Sequence, residues 1–75
     1  MISEAAKRVM AQWRREGHGI WYITFVIEGY DEEFTHMVPG SLTEPNAVGL
    51  ARMQCAEATK EKKKHIHVAR TRKET

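Results

Sequence analysis

Residues Ile20-Trp21-Tyr22-Ile23-Thr24-Phe25-Val26-Ile27 form an unbroken run of β-branched and aromatic side chains, with Gly19 before it and Gly29 shortly after. Bulk at Cβ loses rotamer freedom in a helix and fits a pleated backbone, so the run reads as the central strand of a small sheet. Successive side chains of a strand alternate in direction. Trp21, Ile23, Phe25 and Ile27 therefore share one face, the core face, and Ile20, Tyr22, Thr24 and Val26 share the other. Because the second set is also largely apolar, either something covers both sides of the strand or a sheet face is left for another molecule.

The flanking segments fit around such a strand. Ser3 is placed to cap a helix from Glu4 to about Glu16, and Gly17 is placed to stop it, since glycine tolerates the left-handed conformation that ends helices. Ile2, Ala5, Ala6, Val9, Met10 and Trp13 fall on one side of that helix and Lys7, Arg8, Arg14 and Arg15 on the other. After the central strand, Glu28 to Glu33 carries turn-forming residues and Phe34 to Val38 reads as the second strand of a hairpin. Pro39-Gly40 ends it. Ser41, with Glu44 in capping-box position, and Thr43 compete to cap a second helix that runs to about Lys62, with Pro45 acceptable in its first turn. The inward stripe of this helix is Ala47, Val48, Leu50, Ala51, Cys55 and Ala58, small enough for close approach to the sheet. His65 to Arg70 alternates again and reads as a third strand with Ile66 and Val68 inward. The polar residues 71–75 are expected to fray.

The expected fold is α+β in the order α-β-β-α-β: a mostly antiparallel three-stranded sheet with two helices packed on one face, forming a single domain over residues 1–75. The right-handed crossover rule places the third strand beside the first and parallel to the second. At 75 residues a chain buries only about 60% of the surface it exposes unfolded, so modest stability is expected. A hydrophobic share of 41% and a charged share of 29% belong to a globular chain rather than a disordered or membrane one. No apolar run approaches the roughly 18 residues of a membrane span, and no signal-peptide pattern opens the chain. The expectation is a cytoplasmic protein that does not engage membranes. A lone cysteine, Cys55, allows no internal disulfide and suits a reducing compartment.

Chemistry is sparse. His65 and His67 alternate with Ile66, and His36 falls on a neighbouring strand, so these imidazoles are the first test for a metal site. No second cluster of Cys, Asp or Glu stands at ligand spacing, and neither metal nor cofactor is expected. Glycine-rich phosphate loops and nucleophile elbows are absent, and Cys55 falls on the inward stripe of a helix. Asp31, Glu32 and Glu33 at a hairpin tip would be solvated, the reverse of what acid–base catalysis requires. The chain is therefore expected to be no enzyme.

Binding is the class that remains. The net charge of +2 is small but unevenly spread, with cations crowding the C-terminal end and acids around the hairpin. If the second sheet face is open, Tyr22, Thr24 and Val26 with His67 offer a docking surface for a protein partner, a second copy of the chain included. Very small chains with no cofactor and no catalytic constellation are often accessory proteins of phages or mobile elements that inhibit a host protein, a prior from size alone. The alternative is a nucleic-acid-binding protein, contacting phosphates through Lys7, Arg8, Arg14 and Arg15 of the first helix and through the run Lys62-Lys63-Lys64, with Tyr22 and His67 stacking on bases. The order of elements resembles RNA-binding folds in which helices back a small sheet, such as double-stranded-RNA-binding and KH domains. A strand after the second helix and the lack of a Gly-x-x-Gly loop between helices depart from both, and no residue role carries over.

Overall fold

A computed structural model describes residues 3–74 of the chain. Its elements are α1 (Glu4–Arg15), β1 (Ile20–Ile27), β2 (Glu33–Pro39), α2 (Glu44–Thr59), a single 3-10 turn (Lys63–His65) and β3 (Ile66–Glu74). The strands form one antiparallel sheet in the order β2-β1-β3, so the fold is α+β with β3 beside β1 and parallel to β2. No helix among the described residues is long and apolar enough to cross a membrane.

Local chemistry sets the boundaries. The Ser3 hydroxyl oxygen accepts from the Ala6 N–H at 3.1 Å and starts α1. Gly17, at φ +81°, and Gly19, at φ +72°, turn the chain out of the helix into β1. Gly29, at φ +87°, makes the tight turn into β2, where the Tyr30 N–H donates to the Ile27 carbonyl at 2.9 Å. The other end of the hairpin is tied by the Gly40 N–H, which donates to the Gly19 carbonyl at 3.1 Å.

The main core lies between α2 and the face of β1 that carries Ile23, Phe25 and Ile27. These three pack with Val38, Ala47, Ala51, Cys55 and Ile66, and all are buried. The alanines of α2 let its backbone approach the sheet, and Phe25 fills the space they leave. Trp21 closes one end, its indole N–H donating to the Leu42 carbonyl at 2.9 Å. Burial raises the Cys55 thiol above its ordinary pKa and makes it a small hydrophobe rather than a nucleophile.

α1 reaches the opposite side of the sheet. Met37 and Glu74 pair with Tyr22 and Ile20, so all four side chains leave the sheet on that side. Arg14 of α1 reaches Tyr22 and Glu74, and Ala5, Ala6, Val9, Met10 and Trp13 line a groove with Met37 of β2 and Gln54 of α2. The physical reason lies in the sequence: Ile20 would be stranded on that side without a cover, and it is fully buried, as is Met10 of α1 to within 6%. Each helix thus takes one side of the sheet, α1 at one end only.

Of the two candidate caps Thr43 is the one that starts α2. Two boundaries differ from expectation. α2 ends at Thr59, because Lys60 enters the left-handed region at φ 63° without a glycine. The lysine run therefore lies past the helix. Ala58 is exposed and Ala56 packs on the core instead. Residues 71–74, expected to fray, continue β3: Thr71, Arg72, Lys73 and Glu74 pair with Ile23, Tyr22, Trp21 and Ile20. The length of β1 supplies a ladder for them, and Lys73 over the Trp21 ring and Arg72 over the Tyr22 ring hold the two faces of that end. Thr75, the last residue of the expected frayed tail, lies outside the described residues.

Candidate binding face

The side of the sheet turned away from α2 carries the four residues singled out from the sequence for protein binding, Tyr22, Thr24, Val26 and His67. Its floor is Tyr22, Thr24 and Val26 of β1. β2 adds Glu33, Thr35 and Met37, and β3 adds His67, Arg70, Arg72 and Glu74, all by pairing register. It is less open and less apolar than the alternation suggested. α1 covers the Ile20 end, Thr24 is only 5% exposed, Tyr22 is half-buried, and Val26 alone of the floor counts as exposed, at 37%.

What covers the floor is a set of arginines. Arg70 on β3 reaches across the central strand to Glu33 on β2 in a two-pronged contact, 3.1 and 2.8 Å, and so roofs the middle of the face. Arg14 of α1 grips Glu74 with Nε at 2.6 Å and Nη2 at 3.2 Å, while the Tyr22 hydroxyl donates to the same carboxylate at 3.2 Å. Arg72 lies over the Tyr22 ring at 4.2 Å. Hydrogen bonds from Arg70 hold the Glu33 carboxyl below its ordinary pKa, and those from Arg14 do the same for Glu74. Between these groups a shallow depression of about 230 Å³ is lined by Tyr22, Thr24, Thr35, Arg70 and Arg72. The hydroxyls of Thr24 and Thr35 hydrogen-bond across the strand pair at 2.9 Å on its floor.

At the far end of the face, Glu28 sits between two imidazoles. His67 Nε2 is 2.8 Å and His65 Nδ1 is 3.4 Å from the same Glu28 oxygen, and hydrogen bonding to His67 first, then to His65, lowers the Glu28 pKa. His36 does not join them. It pairs with Ile23, so it leaves β2 on the α2 side, where its ring is 6.2 Å from that of Phe25 and burial lowers its pKa.

The basic residues proposed for nucleic acid fall into two groups. Arg8 and Arg15 are exposed on α1, Lys7 is 3.8 Å from Glu4, and Arg14 is committed to Glu74. Lys62, Lys63 and Lys64 are exposed at the opposite end of β1, where the Glu28 N–H donates to the His65 carbonyl. The eight-residue β1 spans about 23 Å, and the Arg15 end of α1 and the lysine run flank its opposite ends. Tyr22 already carries Arg72 on its ring, which takes one face away from a stacking base.

Arg70 and Arg72 were not among the residues the sequence pointed to, and the reason is a β-bulge. Strict alternation from Ile66 would put Val68, Arg70 and Arg72 on the α2 side. The register shifts between Thr24 and Phe25, whose β3 partners are Arg70 and Val68, so Ala69 has no partner and both arginines emerge beside His67. A signal was present: an arginine at every second position of a strand is ill suited to a core face, and a one-residue insertion is the simplest remedy. Comparison of the chain with protein-family models, with curated proteins and with solved structures finds no match.

Proposed function

We propose that the protein is a non-catalytic interaction module that docks a protein partner through the sheet face turned away from α2, with the adjoining basic side chains at its rim. The observation that carries this reading is the composition of the face: Tyr22, Arg70, Arg72 and Arg14, interleaved with Glu33 and Glu74 and held in register by them. Tyrosine and arginine are the types that concentrate binding energy at protein interfaces, and arginines already fixed by carboxylates lose little freedom on docking. The same interleaved carboxylates disfavour a polyanion. In this reading the partner is a foreign protein, such as a host protein bound by a phage or mobile-element accessory factor, or a second copy of the chain.

One feature favours the second reading, a nucleic-acid-binding protein: the exposed Lys62-Lys63-Lys64 run makes no ion pair among the described residues. The test sets the two against each other. Tagged protein is used to capture partners from lysate with and without nuclease, and the capture is repeated with Tyr22→Ala and with the double reversal Lys63→Glu/Lys64→Glu, each variant first verified as folded by circular dichroism. Under the protein-docking reading one retained protein survives nuclease and the lysine reversal and is lost with Tyr22→Ala. Material that disappears with nuclease and with the lysine reversal would move the nucleic-acid reading to first place.

A further inference from the structure

We infer that the depression lined by Tyr22, Thr24, Thr35, Arg70 and Arg72 is a receiving site for a carboxylate, the anchor by which an acidic segment of a protein partner is held on this face; the inference rests on the docking reading above. Three observations converge on it. The first is the state of the arginines. Arg14 is committed to Glu74 and Arg70 to Glu33, whereas Arg72 makes no ion pair among the described residues. Glu74, whose pKa its charge helps to lower, is held by Arg14 and Tyr22. Three guanidiniums against two carboxylates leave one positive charge on the middle of the face, and it resides on the side chain that lines the depression.

The second is donor geometry. The Arg72 guanidinium lies over the Tyr22 ring, its Cζ 4.2 Å from the centroid, and no carboxylate among the described residues engages its N–H donors. Arg70, which has N–H donors beyond the two that meet Glu33, lines the same space. The third is the hydroxyl pair on the floor. Thr24 and Thr35 share one hydrogen bond that either hydroxyl can donate, so one hydroxyl proton of the pair stays uncommitted for an oxyanion above it, and the exposed Thr35 is the one open to it when Thr24 donates. A volume of about 230 Å³ accepts a carboxylate side chain with part of its stem. A single excess charge suits one carboxylate, whereas a nucleic-acid strand brings a charge with every nucleotide and meets Glu33 and Glu74 on either side.

The experiment is a two-dimensional amide and arginine-Nε NMR titration of the full chain with a capped hexaglutamate peptide, and in parallel with an oligothymidine of the same charge. The expected result is saturable shifts centred on Thr24, Thr35, Arg70 and Arg72 with hexaglutamate. Arg72→Gln weakens them by about tenfold or more, the scale of a charge-assisted hydrogen bond, and Lys63→Gln/Lys64→Gln leaves them in place. Shifts that track Lys62 to Lys64 or α1, or no shifts at all, overturn the site. Tighter binding of oligothymidine at the same four residues overturns the carboxylate assignment in favour of phosphate. The docking reading fails separately: loss of the captured protein with Tyr22→Ala but not with Arg72→Gln leaves docking standing and removes this site, while retention in both variants removes docking itself.

Discussion

Two glycines show how differently one residue type acts in this molecule. A Cβ on Gly40 would overlap the carbonyl oxygen of His18 and come within 2.7 Å of the Gly19 carbonyl carbon, all backbone atoms that cannot swing aside. Gly40→Ala is therefore expected to destabilise the protein by more than about 2 kcal/mol, the scale of overpacking against a rigid wall. A Cβ on Gly49, exposed within α2, meets nothing within 4 Å. Gly49→Ala should stabilise by roughly 0.5–1 kcal/mol, because alanine orders in a helix at a smaller entropic cost. Urea denaturation of the two variants checks both, and equal shifts would contradict the packing described around Gly40. His36 supplies a pH dependence. Burial lowers its pKa below the ordinary 6.5, so the folded protein favours the neutral ring. That contribution is fully present above about pH 6.5 and is lost as pH falls through 6.5 toward the lowered value. The imidazole of His36 should titrate below 6.5 by NMR, and His36→Gln should flatten part of the fall in urea midpoint between pH 7 and pH 5.

At the level of elements, legibility followed the range of the interactions that make each one. β1 was readable to the residue because its β-branched and aromatic run and flanking glycines are local properties, and α1 likewise, from Ser3 to Gly17. β3 was half readable. Its second half, Thr71 to Glu74, is polar and has no strand signal of its own; it is a strand because β1 is long enough to pair with it and because Arg14 and Tyr22 hold Glu74. The side of the sheet that α1 covers was equally hidden, since an amphipathic helix shows that it has an inner face and not which surface it meets. The bulge at Ala69 decided the candidate site, moving Arg70 and Arg72 onto the Tyr22 side. Deleting Ala69 would remove the bulge yet leave both arginines on the Tyr22 side, because Val68 would then be followed directly by Arg70; inserting one alanine after Ala69, with the one-residue bulge kept, would instead turn both toward α2. The insertion is expected to lower the thermal midpoint sharply, whereas Ala69→Ser, which keeps the residue count, should leave it within a few degrees. Similar midpoints for the two would mean that the bulge changes to absorb the insertion and that the register does not fix the face.

The whole molecule is a sheet with unequal covers, and its charge follows the same asymmetry. α2 seals one side with a continuous core, while the other side is closed partly by α1 and partly by arginine–carboxylate pairs that neutralise one another in place. Besides Arg72 on the face, cations without an ion pair among the described residues include Arg8 and Arg15 on α1 and Lys62 to Lys64 beyond α2, two groups that flank opposite ends of β1. This layout predicts how the protein treats nucleic acid. A ligand strand bound at either end would release few counterions, because it contacts two or three cations and no continuous track joins the ends. Affinity for a short DNA duplex or single strand should be weak, and its logarithm should fall against the logarithm of salt concentration with a slope no steeper than about −3. Fluorescence anisotropy between 50 and 200 mM salt measures it. A slope of about −5 or steeper would require that the two basic ends and the arginine face act together on one strand. In that case Glu33 and Glu74 would have to give up Arg70 and Arg14 to phosphates, and the charge pairing described for this face would be a resting state rather than the binding one.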